Sequence, residues 1–232
     1  MIQALFKFKE KTKTESYILS NANQQSFLFI KQWPKWPNNF CILEGGPGSG
    51  KTHLARLWQG ISTAVMIDLL DDSQTNLQNT LIKNQNFIIE NIQRYFCQKT
   101  KMQNIDRHDF KCFDKSLLNI INYCNEKKKH ILFTTTTPIA NLEIKLPDLA
   151  SRLASYTSLT LEPPDEVAVQ TMLVKLFSDR QLTLTREVSD YIISRVKRSF
   201  SELENLVERI DEISMQEKRN ITIPLIRELL VR

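Results

Sequence analysis

Four of the five glycines in this 232-residue chain, Gly45, Gly46, Gly48 and Gly50, fall within six residues, and none follows Gly60. A chain that otherwise avoids glycine needs positive φ or close backbone approach at that one place. The segment reads Gly45-Gly46-Pro47-Gly48-Ser49-Gly50-Lys51-Thr52-His53 and fits G-x-x-x-x-G-K-T. The apolar run Phe40-Cys41-Ile42-Leu43 precedes it, and an amphipathic run through Leu54, Leu57 and Trp58 follows it. A strand, a glycine loop and a helix in that order make a phosphate-binding P-loop. Successive backbone N–H groups form a concave anion nest, and the helix turns its positive end to the same phosphates. Lys51 is expected to reach the β- and γ-phosphates, and the Thr52 hydroxyl to ligate Mg²⁺. ATP or ADP is therefore the expected ligand, held by residues 45–53.

A P-loop needs a second acid on the metal side, at the end of a neighbouring strand. Asn86-Phe87-Ile88-Ile89-Glu90 is short and apolar enough for a buried parallel strand and ends in a carboxylate. Glu90 is the expected metal-side acid, where most such sites use aspartate. The next position usually carries the acid that polarises attacking water. Here it is Asn91, which cannot accept a proton, so intrinsic hydrolysis is expected to be slow. A third strand, His130 to Thr137, ends in hydroxyls. Thr135 or Thr136 could orient water beside the γ-phosphate, and Thr136 is the sensor-like candidate, although threonine also simply favours strands.

These groups need a sheet to hold them. Strand-like runs lie near 40–44, 64–68, 87–90, 130–135 and 157–161, with helical patterns between them, notably over 114–129. Alternation of this kind predicts a parallel five-stranded sheet covered on both faces. Pro163-Pro164 breaks the chain, and runs over 165–180, 185–198, 200–218 and 223–232 then carry helical apolar spacing. The organisation expected is a tail over 1–12, an α/β base over 13–162 and an all-α lid over 163–232. Hydrophobic content of 41% and charged content of 25% describe an ordinary globular protein and exclude wholesale disorder. No apolar run approaches the roughly 20 residues of a membrane span, and the N-terminus lacks a signal peptide's apolar stretch. Cys41, Cys97, Cys112 and Cys124 show no metal-site spacing, which suits single thiols in a reducing, cytoplasmic setting. The net charge of +5 permits nucleic-acid contact without arguing for it. Lys127-Lys128-Lys129 is read as a solvated helix C-terminal cap.

With the loop, the Glu90-Asn91 strand and the helical tail together, the chain resembles the AAA+ ATPases. More narrowly it resembles the AAA+ region of the replication initiator DnaA and the initiator-homologous Hda regulators, alphaproteobacterial members included. The resemblance rests on Leu146-Pro-Asp-Leu-Ala-Ser-Arg-Leu153, Leu173-Val-Lys-Leu-Phe-Ser-Asp-Arg-Gln-Leu182, Arg198-Ser-Phe200, Lys218-Arg-Asn-Ile-Thr-Ile-Pro224 and Ile30-Lys-Gln-Trp-Pro-Lys-Trp-Pro37. It implies an AAA+ P-loop base followed by a small helical lid, and a role in regulating replication initiation. Arg152 would be an arginine finger acting on a nucleotide bound by a neighbouring subunit. Gln3, Leu5, Phe6 and Phe8 would form a peptide that binds the DNA polymerase sliding clamp in extended form, with Ala4 where leucine is usual. Tyr17, Ile18 and Leu19 would pack around the adenine.

Two departures temper the resemblance. Ser201 occupies the position of the initiator's lid arginine that senses the γ-phosphate, with Arg198 one helical turn away. The initiator's DNA-binding domain would have to follow Arg232, so direct sequence-specific DNA binding is not expected. The implied partners are DnaA and the clamp, with a homo-oligomer left open and no membrane. A stand-alone ATPase or helicase loader, and a nucleotide-stabilised adaptor without hydrolysis, are the competing expectations.

Overall fold

The structure is a computed structural model describing residues 17–69, 74–97, 107–217 and 219–231. Five strands, β1 (Phe40–Glu44), β2 (Val65–Met66), β3 (Asn86–Ile89), β4 (His130–Thr135) and β5 (Thr157–Thr160), form one sheet in the order β2-β3-β4-β1-β5. Every neighbouring pair is parallel. The central strands are buried along nearly their whole length, as continuous apolar runs covered on both faces should be. The helices of this part are α1 (Gln24–Lys31), α2 (Lys51–Ser62), α3 (Gln74–Lys83), α4 (Gln93–Cys97), α5 (Arg107–Glu126) and α6 (Pro147–Ser155). Four more follow: α7 (Glu166–Asp179), α8 (Arg186–Ile193), α9 (Phe200–Glu217) and α10 (Ile223–Val231). A parallel five-stranded α/β fold followed by a helical lid is therefore what the alternation and the later helical spacing predict.

Among the described residues the chain divides into two compact units. One holds Gln25–Gly46 and Lys51–Leu161; the other holds 17–24, Pro47–Gly50 and the helices from Glu162 onward. The sheet unit has its core on β1, β3 and β4, where Ile42, Phe87, Ile89, Ile131 and Phe133 pack with Leu117, Ile121 and Cys124 of α5. Burial pushes the Cys124 thiol pKa up to about 12 and that of Cys41 higher still. Trp36 stacks on Trp58 of α2 at 5.1 Å, and His130 meets Trp33 and Trp36 edge-on at 6.0 and 6.1 Å. The helical unit has a separate core, in which Ile18 packs with Val169, Leu173, Leu203 and Ile226. Two of its helices start on side-chain caps: Asp165 accepts from the Ala168 N–H at 2.7 Å and Thr185 from the Val188 N–H at 3.4 Å.

Two expectations are corrected in detail. β2 covers only Val65–Met66 rather than 64–68, an edge strand that pairs with β3 over just those two residues. Lys129 is not solvated. It is 3% exposed, and its ammonium donates to the carbonyls of Leu81, Ile82 and Asn84 at the end of α3. It thereby caps the C-terminus of a neighbouring helix, beside the rings of Tyr123 and Phe87.

Helix α6 has no side-chain cap of its own at Leu146. Instead the buried carboxylate of Asp114, on α5, accepts from the Lys145 and Leu146 N–H groups at 3.0 and 3.1 Å. Asp114→Ala strands both donors and is expected to cost about 2 kcal/mol, or roughly 4–8 °C in melting temperature for a chain of this size. Asp114→Asn keeps one acceptor and should lose less. A second expectation concerns His130, whose pKa burial lowers. The folded state keeps the ring neutral where the unfolded chain takes up a proton. Stability is then full above the ordinary histidine range and falls as pH drops through it, from about 6.5 downward. Denaturant midpoints across that range should show the decline, and His130→Gln should flatten it.

Candidate nucleotide-binding site

The glycine loop is anchored before it begins. The Glu44 backbone carbonyl accepts from the Leu161 N–H at 2.7 Å, its side chain accepts from the Ile139 N–H at 3.2 Å, and the Gly45 N–H donates to the Thr135 carbonyl at 3.2 Å. Three strand ends, those of β1, β4 and β5, are thus tied where the chain leaves the sheet. Helix α2 begins at Lys51. The Lys51 side chain turns back over the loop and donates to the carbonyls of Gly45 and Gly46 at 2.7 and 2.8 Å. Burial lowers its pKa, and the negative charge of Glu90 opposes that shift. The acid at the end of β3 and the loop lysine therefore share one electrostatic environment. Thr52 is exposed and His53 half-buried, on the first turn of α2.

Within the helical unit, the loop apex meets the start of α9. Gly48 and Gly50 have φ of +70° and +95°. A β-carbon on Gly48 would lie 1.9 Å from Ser199 Oγ and 2.7 Å from Ser201 Oγ, and the Phe200 N–H donates to the Gly48 carbonyl at 2.9 Å. Gly48 is thus fixed twice, by backbone conformation and by close approach. Ser199 and Ser201 are hydrogen-bonded to each other at 3.0 Å, so two hydroxyls stand in the neighbourhood where the family resemblance expects an arginine. Arg198 instead makes an exposed ion pair with Glu166 at 3.5 Å. Tyr17 is 3% exposed and Ile18 8%.

Glu90 supplies a direct test of whether a metal fits. Its Oε1 is buried without a hydrogen-bond partner, a costly state for a carboxylate oxygen that a bound cation would relieve. Among the described residues no group of three or more His, Cys, Asp or Glu side chains gathers as a metal cage. Mg²⁺ suits that pattern, since it commonly takes one or two carboxylates and completes its shell with waters and phosphate oxygens.

Beyond Glu90, Asn91 adopts φ of +54°. Its N–H donates to Thr134 Oγ1 at 2.9 Å, and the Ile92 N–H donates to the Thr134 carbonyl at 2.9 Å. Gln93 spans the two strand ends: its Nε2 donates to Asn91 Oδ1 at 3.4 Å, and its Oε1 accepts from the Thr136 N–H at 3.2 Å. The Thr135 hydroxyl donates to the Thr137 carbonyl at 2.6 Å and is committed to its own turn, which distinguishes it from Thr136. Sequence reasoning missed Gln93. A polar residue opening a helix two positions past Asn91 was the only available signal.

Arg152 lies on α6, with its Nε 3.3 Å from Asp148 Oδ1, in a pair whose side chains are 36% and 57% exposed. Exposed pairs of this kind contribute about 0–1 kcal/mol, so the guanidinium can be drawn away at small cost. Gln3, Leu5, Phe6 and Phe8 lie outside the described residues.

Residues 165–230 match the family model described as the lid domain of Hda. An uncharacterized protein of Haemophilus influenzae is 28% identical over 202 residues, covering 82% of this chain and 81% of that protein. The chromosomal replication initiator protein DnaA of Buchnera aphidicola subsp. Cinara cedri is 25% identical, covering 95% of this chain. This chain spans 53% of that initiator's length. Domain III of the Thermotoga maritima replication initiation protein DnaA superposes with a TM-score of 0.75 at 18% identity, covering 92% of this chain and 93% of that one. AMPPCP-bound DnaA from Aquifex aeolicus superposes with a TM-score of 0.66 at 16% identity, covering 86% and 65%. The chain is thus similar to the DnaA-related AAA+ proteins along most of its length, and its residues 165–230 match an Hda-type lid domain.

Proposed function

We propose that this chain is a nucleotide-binding regulator of chromosomal replication initiation, which promotes ATP hydrolysis on the initiator DnaA while held at the sliding clamp. The observation that carries this reading is at the end of β3. The position that would polarise water holds an amide, Asn91, whose oxygen is already engaged by Gln93. Such a site favours keeping a nucleotide over turning it over.

In this mechanism the loop N–H groups and Lys51 bind the phosphates, and Lys51 exchanges the Gly45 and Gly46 carbonyls for phosphate oxygens. Thr52 and Glu90 would hold Mg²⁺, which would neutralise phosphate charge. Tyr17 and Ile18 would support the base, and Thr136 would orient water near the terminal phosphate. Arg152 leaves Asp148 and reaches the nucleotide of the initiator, where a guanidinium offsets charge that develops in phosphoryl transfer. Gln3, Leu5, Phe6 and Phe8 engage the clamp. A nucleotide-stabilised adaptor is the second reading, favoured by the Arg152–Asp148 pair, which gives the arginine a partner within its own helix.

Conversion of initiator-bound ATP to ADP should require both this chain and clamp-loaded DNA, each omitted in turn. Absence of any acceleration, with nucleotide binding intact, would shift the assignment to the adaptor. Arg152→Ala should lower the stimulated rate by about 10³-fold or more while leaving nucleotide affinity within about twofold. Full stimulation by that variant would overturn the finger. Separately, Lys51→Ala should weaken ADP and ATP binding by roughly 10- to 100-fold in equilibrium titration, and Glu90→Gln should remove most of the Mg²⁺ dependence of that binding.

A further inference from the structure

We propose that Gln93 is a positioning residue that fixes the polarity of Asn91, so that the strand end beyond Glu90 offers a hydrogen-bond donor to the terminal phosphate of a nucleoside triphosphate. The inference rests on the nucleotide-binding reading above and adds a specificity-determining pair to it.

A side-chain amide has one acceptor end and one donor end. Gln93 presents both of its own ends to fixed partners. Its Oε1 takes the Thr136 N–H of the β4 end, which leaves Nε2 to face Asn91 Oδ1. With its oxygen so engaged, Asn91 has its Nδ2 donor left to meet a ligand. The backbone supports the same arrangement. Asn91 is held in the left-handed region, which asparagine tolerates better than most residues, by its own N–H to Thr134 Oγ1.

The placement gives this donor an anionic target. Asn91 follows Glu90 directly, and the Thr135 carbonyl, next to Thr136, receives the Gly45 N–H at the mouth of the glycine loop. Asn91, Gln93 and Thr136 are all half-buried, at the C-terminal edge of a parallel sheet, where open α/β sheets bind their ligands. A carboxylate at position 91 would accept a proton from water; an amide with a preset donor end instead holds a phosphate oxygen. Without Gln93 the Asn91 amide is free to reverse, and an oxygen toward phosphate is repulsive.

Release of a fluorescent non-hydrolysable ATP analogue and of fluorescent ADP would be followed by stopped flow for the wild type, Gln93→Met, Asn91→Ala and the double variant. Gln93→Met is close in size and uncharged. It should speed triphosphate release roughly tenfold and leave ADP release within about twofold, with the melting temperature lowered by no more than about 4 °C. Asn91→Ala should do the same, and Gln93→Met should add nothing in the Asn91→Ala background, because one residue acts through the other. Equal acceleration of both nucleotides, or additive effects in the double variant, would overturn the inference and leave Gln93 as a strand tether. A wild-type chain that binds neither nucleotide would overturn the nucleotide reading itself, and this inference with it; a Lys51→Ala control separates the two failures.

Discussion

All five strands run parallel, so their C-terminal ends share one edge, and every other feature of the sheet unit depends on that constraint. Glu44, Ile89, Thr135 and Thr160 end their strands there. The glycine loop, the acid after β3 and the hydroxyl-rich turn after β4 are neighbours because of strand direction, although about ninety residues separate the first from the last. Backbone bonds then fix the edge finely. Gly45 is tied to Thr135, Leu161 to Glu44, and Ile92 to Thr134. A parallel sheet cannot be assembled from hairpins, so this edge is reached only through long crossovers. Its polar groups stay fixed because the apolar runs behind them are buried on both faces.

At that edge the polar groups are unevenly satisfied, and the unevenness has chemical content. Thr134, Thr135 and Gln93 are committed to backbone partners. Lys51 is engaged by carbonyls that a stronger anion can replace, and Glu90 Oε1 has no hydrogen-bond partner. Groups with full partners build the frame, while groups held weakly or left over are those a nucleotide and its cation can satisfy. The same logic separates the two arginines of interest. Arg198 and Arg152 both sit in exposed ion pairs, which cost little to break, so neither is bound irrevocably to its own chain.

Much of this was legible in the sequence because it is local. The glycine cluster, the apolar runs that became β1, β3 and β4, and the helical spacing after Pro163-Pro164 each depend on residues close in the chain. What escaped was tertiary. Gln93 acquires its importance from Thr136, more than forty positions later, and Asp114 from Lys145 and Leu146. Lys129 looked like one of three solvated lysines because composition cannot reveal that the end of α3 lies over it. β2 was overestimated because an apolar run does not announce how many of its residues will find ladder partners. Of the candidate site, the glycine loop and the apolar run ending at Glu90 stand out in the sequence, whereas the hydrogen bonds of Gln93 to Asn91 and Thr136 do not.

The tryptophan cluster has an optical consequence. The chain has three tryptophans, and Trp33, Trp36 and Trp58 all belong to the sheet unit, where Trp58 lies within about 6 Å of both other rings. Residues 162–232 contain none, and their only tyrosine is Tyr191. Emission excited at the indole band therefore reports one unit alone, and the helical unit is silent in that channel. Any difference between a tryptophan-detected unfolding curve and one followed by helical circular dichroism measures how far the two units melt as one.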